Sequence, residues 1–526
     1  MKTFRSKLSL SLNQVGAFMW PIKKEENKKF FLMLAVFFLI AFNYNILRAV
    51  KDTLIVTAPK SGAEAIPFIK LWVMLPMAIF MTFIFTRLSN RYGWEKVFYS
   101  IILIFLSFFA FFTLVLYPMR DFLHPTQFAD TLEGLLPQGL HGFVALIRNW
   151  TLTCFYVMSE LWGAIILSVL FWGFTNDVTS VSQAKRFYAL LGLGANIAGS
   201  IAGQVIIALS TNTYRPWIPL GSTGWEQSIL FLNLTIIIVG FVVMGLFRYL
   251  NKSVISKEEI AVEDTKAFQK KKKPKMSMRK NFAFLGKSKY LIYISILVVS
   301  YNIVINLVEV VWKNQLKELY PNPADYNIYF GQVMTVMGIL ASVIAFFASG
   351  NLLRKFSWTF SALIPPIAIL VSGMGFFFFY LFKDQAMPIA LIFHTTPLAM
   401  CVLFGSVQNC ISRSLKYTLF DATKEIAYIP LDREAKLKGK AAIDGVGSRL
   451  GKSGGSIIHQ GLLIVFATLS ASTPYIAFLF LIISGIWISS VRSLGKQFNE
   501  LVTSKEKLVV EDAPATQKPD LAVKNI

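Results

Sequence analysis

About twelve apolar runs, each near 20 residues or longer, leave this chain little choice of fold. They lie at 30–56, 66–86, 97–117, 150–175, 188–209, 227–249, 289–312, 328–349, 358–381, 387–411, 441–469 and 474–491. A helix rises 1.5 Å per residue, so about 20 residues cross the hydrocarbon of a bilayer. Inside hydrocarbon each backbone N–H and C=O must be satisfied within the segment, which a helix does. The expectation is an all-α membrane protein of about twelve transmembrane helices.

Composition agrees. Charged residues make up 15% of the 526, hydrophobic residues 55% and aromatics 14%, whereas a soluble domain carries about 25% charge. Cys154, Cys401 and Cys410 lie inside apolar runs, which gives neither a disulfide framework nor metal-type spacing. The four histidines are scattered, so no cofactor or metal is expected. The formal net charge of +23 invites a nucleic-acid reading. The excess sits in loops between spans, however, where it suits a cytoplasm and anionic lipid. With no soluble domain to hold nucleic acid, the expected partner is the bilayer, and no obligatory protein partner is evident.

The basic segments set the orientation. The N-terminus, the 87–96 loop, residues 250–288, Arg354-Lys355 and the C-terminal tail all fall on one side if the span count is even. Both termini then face the cytoplasm. The first 29 residues are polar and basic and include Glu25 and Glu26. They read neither as a cleavable signal nor as an acid-poor transit peptide, which favours a bacterial inner (plasma) membrane. The loop 118–149, with Asp121, Asp130 and Glu133, is expected to form a small external cap.

A basic linker divides the chain. Residues 250–288 contain Lys270, Lys271, Lys272, Lys273 and Lys275 and lack apolar periodicity, so they read as a solvated connection. The expected layout is a cytoplasmic segment 1–29, a six-helix bundle 30–249, the linker, a second bundle 289–500 and a cytoplasmic tail 501–526. Lys505–Ile526 reads as disordered. The halves echo one another. Lys185–Ser200 aligns without gaps on Lys438–Ser453, and Tyr44-Asn45-Ile46 resembles Tyr301-Asn302-Ile303. A parallel six-plus-six repeat is the major-facilitator architecture, with substrate held between the halves near mid-membrane. The shared small residues Gly192, Gly194, Ala198, Gly199, Gly445, Gly447 and Gly451 are expected to let helices approach closely.

The stretch Gly451-Lys452-Ser453 looks at first like a phosphate-binding loop. The glycine that such a loop needs five residues earlier is replaced by Val446, and a long apolar run follows, so this is the start of a membrane helix. Charges inside the spans are costly and mark a substrate path by default. Tyr44, Arg48 and Lys51 share a face of the first helix at i, i+4 and i+7. Glu160 lies deep in the fourth. Asn302, Asn306, Glu309 and Lys313 share a face of the seventh, and Asn409, Arg413 and Lys416 a face of the tenth. Gly445, Arg449, Lys452 and Ser456 share a face of the eleventh. If that helix is continuous, Lys452 stands about 18 Å beyond Lys440. There are bland readings. Lys313 and Lys416 reach the interface by snorkelling, Glu309 pairs with Lys313 at i, i+4, and Asn409 joins helices. Arg48, Glu160 and Lys452 are too deep for these.

Cations outnumber anions among the deep groups, which suits a polyanion, since Arg and Lys together bind phosphate oxygens. Tyr44 or Tyr301 is suited to stack a base, and Asn302 or Asn409 to read its edge. The carboxylates suggest gating, each pairing with a substrate-binding cation in the empty carrier and releasing it when phosphate arrives. Such competition favours exchange over uniport.

These residues bring a resemblance. The chain resembles the nucleotide transporter (ATP/ADP translocase) family of chlamydiae, rickettsiae and plastids, and looks closest to its chlamydial members. Matching stretches include Asn43-Tyr44, Leu47-Arg48, Lys51–Leu54, Ile66–Lys70, Arg148–Trp150, Glu160–Gly163, Phe171–Phe174 and Ala184–Tyr188. In the second half they include Asn306–Glu309, Trp312-Lys313, Leu419–Asp421, Ala427–Asp432, Lys438–Ala442 and Gly451–Gly455. The resemblance implies energy parasitism, in which host ATP enters in exchange for ADP and phosphate leaves alongside ADP. It also implies that Lys51, Glu160, Glu309 and a lysine between 440 and 452 matter for transport. It favours Lys440, whereas depth favours Lys452. Chlamydial exchangers often carry an acid after the first-helix arginine, where this chain has Ala49. Base specificity and coupling therefore stay open between ATP/ADP exchange and a paralogue carrying other ribonucleotides or NAD, with or without protons. A membrane ATP hydrolase or phosphotransferase is opposed by the defective phosphate loop and the missing soluble domain. A channel suits the paired carboxylates less well than a gated carrier.

Overall fold

A computed structural model describes residues 22–218, 220–255, 288–431, 436, 439, 440, 443 and 447–511. Among them every regular element is helical. The first half holds α1 (Asn27–Val56), α2 (Ala65–Arg91) and α3 (Trp94–Leu116). Three short helices follow, α4 (Arg120–Leu123), α5 (Thr126–Leu135) and α6 (His141–Arg148). Then come α7 (Trp150–Val178), α8 (Val181–Leu209) and α9 (Gly224–Leu250). The second half holds α10 (Lys289–Leu319), α11 (Pro323–Lys355), α12 (Trp358–Leu381), α13 (Lys383–Ile392), α14 (Pro397–Leu415), α15 (Ser448–Phe466) and α16 (Leu469–Glu511).

Among the described residues ten helices are long and apolar enough to cross a bilayer, and an eleventh crossing arises if a bent pair counts as one. That pair, α13 with the helical run from Pro397, turns by 85° where the sequence suggested a single run over 387–411. The cause is local. Thr396 precedes a proline and is held extended, at φ −107° and ψ 155°, and its side chain accepts from the Ala399 N–H to cap α14. The eleventh expected run is represented by the shorter apolar stretch Ser453–Phe466; positions 441, 442 and 444–446 lie outside the described residues, as does most of the 250–288 linker. α16 continues to Glu511, so the helix runs into the segment that reads as disordered from Lys505. Lys505–Leu508 are good helix formers, and the first proline comes only at Pro514.

Large apolar side chains stand on the outside. Ile79, Phe83, Val371 and Phe478 are each at least 60% exposed, which suits contact with lipid rather than water. Inside, the fold divides into two compact units. One takes in α1 to α9 together with Val310–Val343 and Gln460–Leu469, and the other takes in the remaining described helices.

In the first unit α1 is central and lies against α7, α8 and α9. Its Asn43 donates to the Ile236 carbonyl at 2.9 Å. Small residues bring α8 onto α11. A Cβ on Gly203 would reach the Gly331 carbonyl, and one on Gly338 would strike Ser200. Gln204 there donates to Thr335 at 3.0 Å. Of the glycines singled out by sequence, Gly194 meets Leu34 of α1, but a Cβ on Gly192 would meet nothing within 4 Å. Close packing does not explain that position.

In the second unit α12 and α14 form an extensive pair. Here α15 closes on α10 through its glycines. A Cβ on Gly451 would lie 2.7 Å from Asn302 Cβ, and one on Gly455 2.8 Å from Asn306 Cβ. The repeat is visible within each unit separately. Asn45 donates to Ala41 O at 2.8 Å beside Gly199, and Asn302 donates to Val298 O at 2.8 Å beside Gly451.

Candidate functional site

The α1 face that carries Tyr44, Arg48 and Lys51 is occupied along its length. The Tyr44 ring lies against α7 at Gly163, where any side chain would strike it. Arg48 is buried, with its guanidinium 5.8 Å from the Phe330 ring centre. Lys51 is 2% exposed. Its ammonium lies 2.8 Å from Asp52 Oδ1, 2.9 Å from Glu160 Oε1 and 3.9 Å from the centre of the Tyr156 ring. The other Asp52 oxygen takes Lys313 of α10, at 2.8 Å. Glu160, Lys51, Asp52 and Lys313 thus form a ladder of alternating charge with no net charge.

Such a ladder is a specific arrangement more than a source of stability. Desolvating four charges offsets most of their attraction, whereas deleting one partner costs about 3–5 kcal/mol. Burial separates its members. The side chains of Lys51, Asp52 and Lys313 are at most 2% exposed, but that of Glu160 is 28% exposed. Glu160 is therefore the most exposed member of the ladder. Two widened π-helical turns flank it. One, Trp162–Phe171, begins two residues after Glu160. The other, Ile69–Val73, carries Lys70, which interacts electrostatically with Glu160. Such turns recur at functional sites.

The second unit holds a cation–carboxylate pair with the order of exposure reversed. Arg413 Nη2 lies 2.9 Å from Glu309 Oε1, with side chains 24% and 11% exposed. Asn409 stands one turn before Arg413 on α14. It donates to the Gly405 carbonyl, and its buried Oδ1 finds no hydrogen-bond partner among the described residues. Asn306 packs on Gly455, and its carbonyl lies 3.4 Å from the fully buried His459 ring. Lys416 lies 5.7 Å from the centre of the Tyr301 ring.

Several expectations change. Lys313 does not snorkel; it is buried on Asp52. The structure brings Arg413 of α14 onto Glu309, a partner from another helix that spacing did not offer. Tyr301 is 3% exposed, stacks on Phe420, meets Trp487 edge-on and donates to the Ser412 carbonyl, so its faces are taken by the core. Lys440 pairs with Glu425, both nearly half exposed. Arg449 and Lys452 lie in the first turns of α15; their side chains are outside the described residues. Gly451-Lys452-Ser453 is helical throughout, as the missing glycine implied. Sequence reasoning gave no role to Asp52, Lys70 or His459. An acid directly after a buried lysine was the available signal for the first.

The family model described as TLC ATP/ADP transporter matches residues 6–498. The chain belongs to the TLC ATP/ADP transporter family. Among curated relatives of this TLC chain, ADP,ATP carrier protein 1 of Chlamydia pneumoniae is 46% identical over 506 residues, covering 96% of this chain and 98% of its own. The plastidic ATP/ADP-transporter of Solanum tuberosum is 42% identical over 474 residues, covering 90% and 74%. Among solved structures, a D-xylose-proton symporter superposes with a TM-score of 0.53 at 12% identity, covering 88% of this chain and 96% of that one. At that identity the likeness speaks to the fold, which is major-facilitator-like. The TLC description is that of a transporter, which sets the membrane-enzyme reading aside.

Proposed function

We propose that this chain is a nucleotide antiporter that imports ATP in exchange for ADP, with phosphate leaving alongside ADP. It works by alternating access between two six-helix halves in a bacterial plasma membrane, with both termini in the cytoplasm. The observation that carries the reading is the Lys51–Glu160 pair, a buried cation held by a carboxylate that is itself within reach of solute. A phosphate group competes with Glu160 for Lys51 and offers more charge and more acceptor oxygens. Arg413 and Glu309 form a second cation–carboxylate pair in the other half, in which the cation is the more exposed partner and faces an incoming phosphate directly. Tyr44, Arg48, Asn302, Asn306, Asn409, Lys440, Arg449 and Lys452 complete the proposed path. Without a substrate the cations stay occupied by protein carboxylates, which disfavours return of the empty carrier and makes transport an exchange.

Purified protein in ADP-loaded liposomes tests this through uptake of labelled ATP. Competition by GTP, CTP, UTP or NAD equal to that by ATP would replace the ATP/ADP reading with that of a broader nucleotide carrier. Dependence on a protonophore-sensitive gradient would replace exchange with proton coupling.

A further inference from the structure

Asp52 stands at the centre of the ladder and has no part in the exchange described above. Its two oxygens are divided, Oδ1 to Lys51 of its own helix and Oδ2 to Lys313 of α10. Its side chain is 1% exposed, against 28% for Glu160. The two carboxylates that hold Lys51 therefore differ in reach. An arriving phosphate meets Glu160 and can take its place on Lys51. It meets Asp52 only after Lys51 has moved away.

We propose that Asp52 is a positioning residue: a fixed counterion that keeps Lys51 aimed at the substrate phosphate and ties α10 to α1 through Lys313, while Glu160 is the counterion that yields. This rests on the antiport reading above. Two buried ammonium groups share the one carboxylate, so removing its charge leaves them repelling each other with less compensation. The surplus positive charge then favours bound polyphosphate over its release. Removing the charges of Asp52 and Lys313 together restores the balance and abolishes the tie between the helices.

The experiment compares wild type, Asp52→Asn, Lys51→Gln and the double variant Asp52→Asn/Lys313→Gln in ATP/ADP counter-exchange, with rates expressed per folded carrier. For Asp52→Asn, the KM for ATP stays within about twofold or falls, while kcat drops about tenfold or more. Lys51→Gln instead raises KM. The double variant recovers kcat to within about threefold of wild type, and labelled ATP now leaks from liposomes that lack a counter-substrate. A merely structural Asp52 would reduce the amount of folded carrier and leave both constants unchanged, which overturns the proposal. So does a rise in KM matching that of Lys51→Gln, or a double variant as slow as Asp52→Asn. If wild type itself fails to exchange ATP for ADP, the antiport reading falls and takes this one with it. Wild-type exchange with an overturning variant pattern removes only the role of Asp52.

Discussion

The ammonium of Lys51 lies 2.9 Å from Glu160 Oε1, and the carboxylate is the more exposed of the two by 28% to 2%. A cation buried behind its own counterion is guarded, because a solute reaches it only by displacing the guard. Glu160→Gln removes that guard and leaves Lys51 with Asp52. Dissociation of ATP should slow, and kcat for exchange should fall about tenfold. ATP efflux should also become less dependent on a counter-substrate. Filter uptake with and without internal ADP checks both; unchanged rate and affinity would remove Glu160 from the mechanism.

Arg413 and Glu309 form a cation–carboxylate pair in the second unit. Arg413→Gln leaves the Glu309 carboxylate without this guanidinium, at a cost of about 3–5 kcal/mol. Thermal unfolding in detergent should show a clear fall in Tm. The double variant Arg413→Gln/Glu309→Gln should unfold closer to wild type, because neither charge is then left behind. Both variants should have a higher KM for ATP.

Two glycines in the repeated stretch should respond oppositely to alanine. At Gly451 a Cβ would sit 2.7 Å from Asn302 Cβ and 3.1 Å from the Val299 carbonyl oxygen. Gly451→Ala should therefore cost about 1–3 kcal/mol through overpacking. At Gly192 a Cβ would meet nothing, and Gly192→Ala in a helix interior should stabilise by up to about 1 kcal/mol. Paired thermal-shift measurements check the contrast.

The cap should loosen in acid. Hydrogen bonds from Lys60 and then Arg148 hold the Asp130 carboxyl below its ordinary pKa. A depressed carboxylate contributes where it is ionised, so this tie is fully present above the ordinary Asp value. It is lost as pH falls through the lowered one. Hydrogen exchange in α5 should rise over that acidic window, and Asp130→Asn should show the faster exchange already at pH 7.

Much of this was legible beforehand, for physical reasons. Runs of about 20 apolar residues have one stable form in hydrocarbon, so helix positions followed from composition. The echo of Tyr44-Asn45 in Tyr301-Asn302 became a shared contact, each asparagine bonded one turn back and set beside a small-residue helix. Partnerships were not legible. Spacing offers Lys313 the acid one turn away, Glu309, because sequence shows only neighbours on the same helix; the fold brings Asp52 from α1. For the same reason the high aromatic content could not tell that Tyr301 is enclosed by Phe420 and Trp487. The bend before Pro397 was hidden by uniform hydrophobicity on both sides of it.

Counter-exchange by the wild-type carrier tests the central claim most directly. Liposomes holding the purified protein are loaded with ADP or left empty, and initial uptake of labelled ATP is measured. The account predicts rapid uptake that saturates with ATP, requires internal ADP and is outcompeted by unlabelled ATP or ADP far better than by GTP, CTP, UTP or NAD. Uptake that is equally fast into empty liposomes would contradict it.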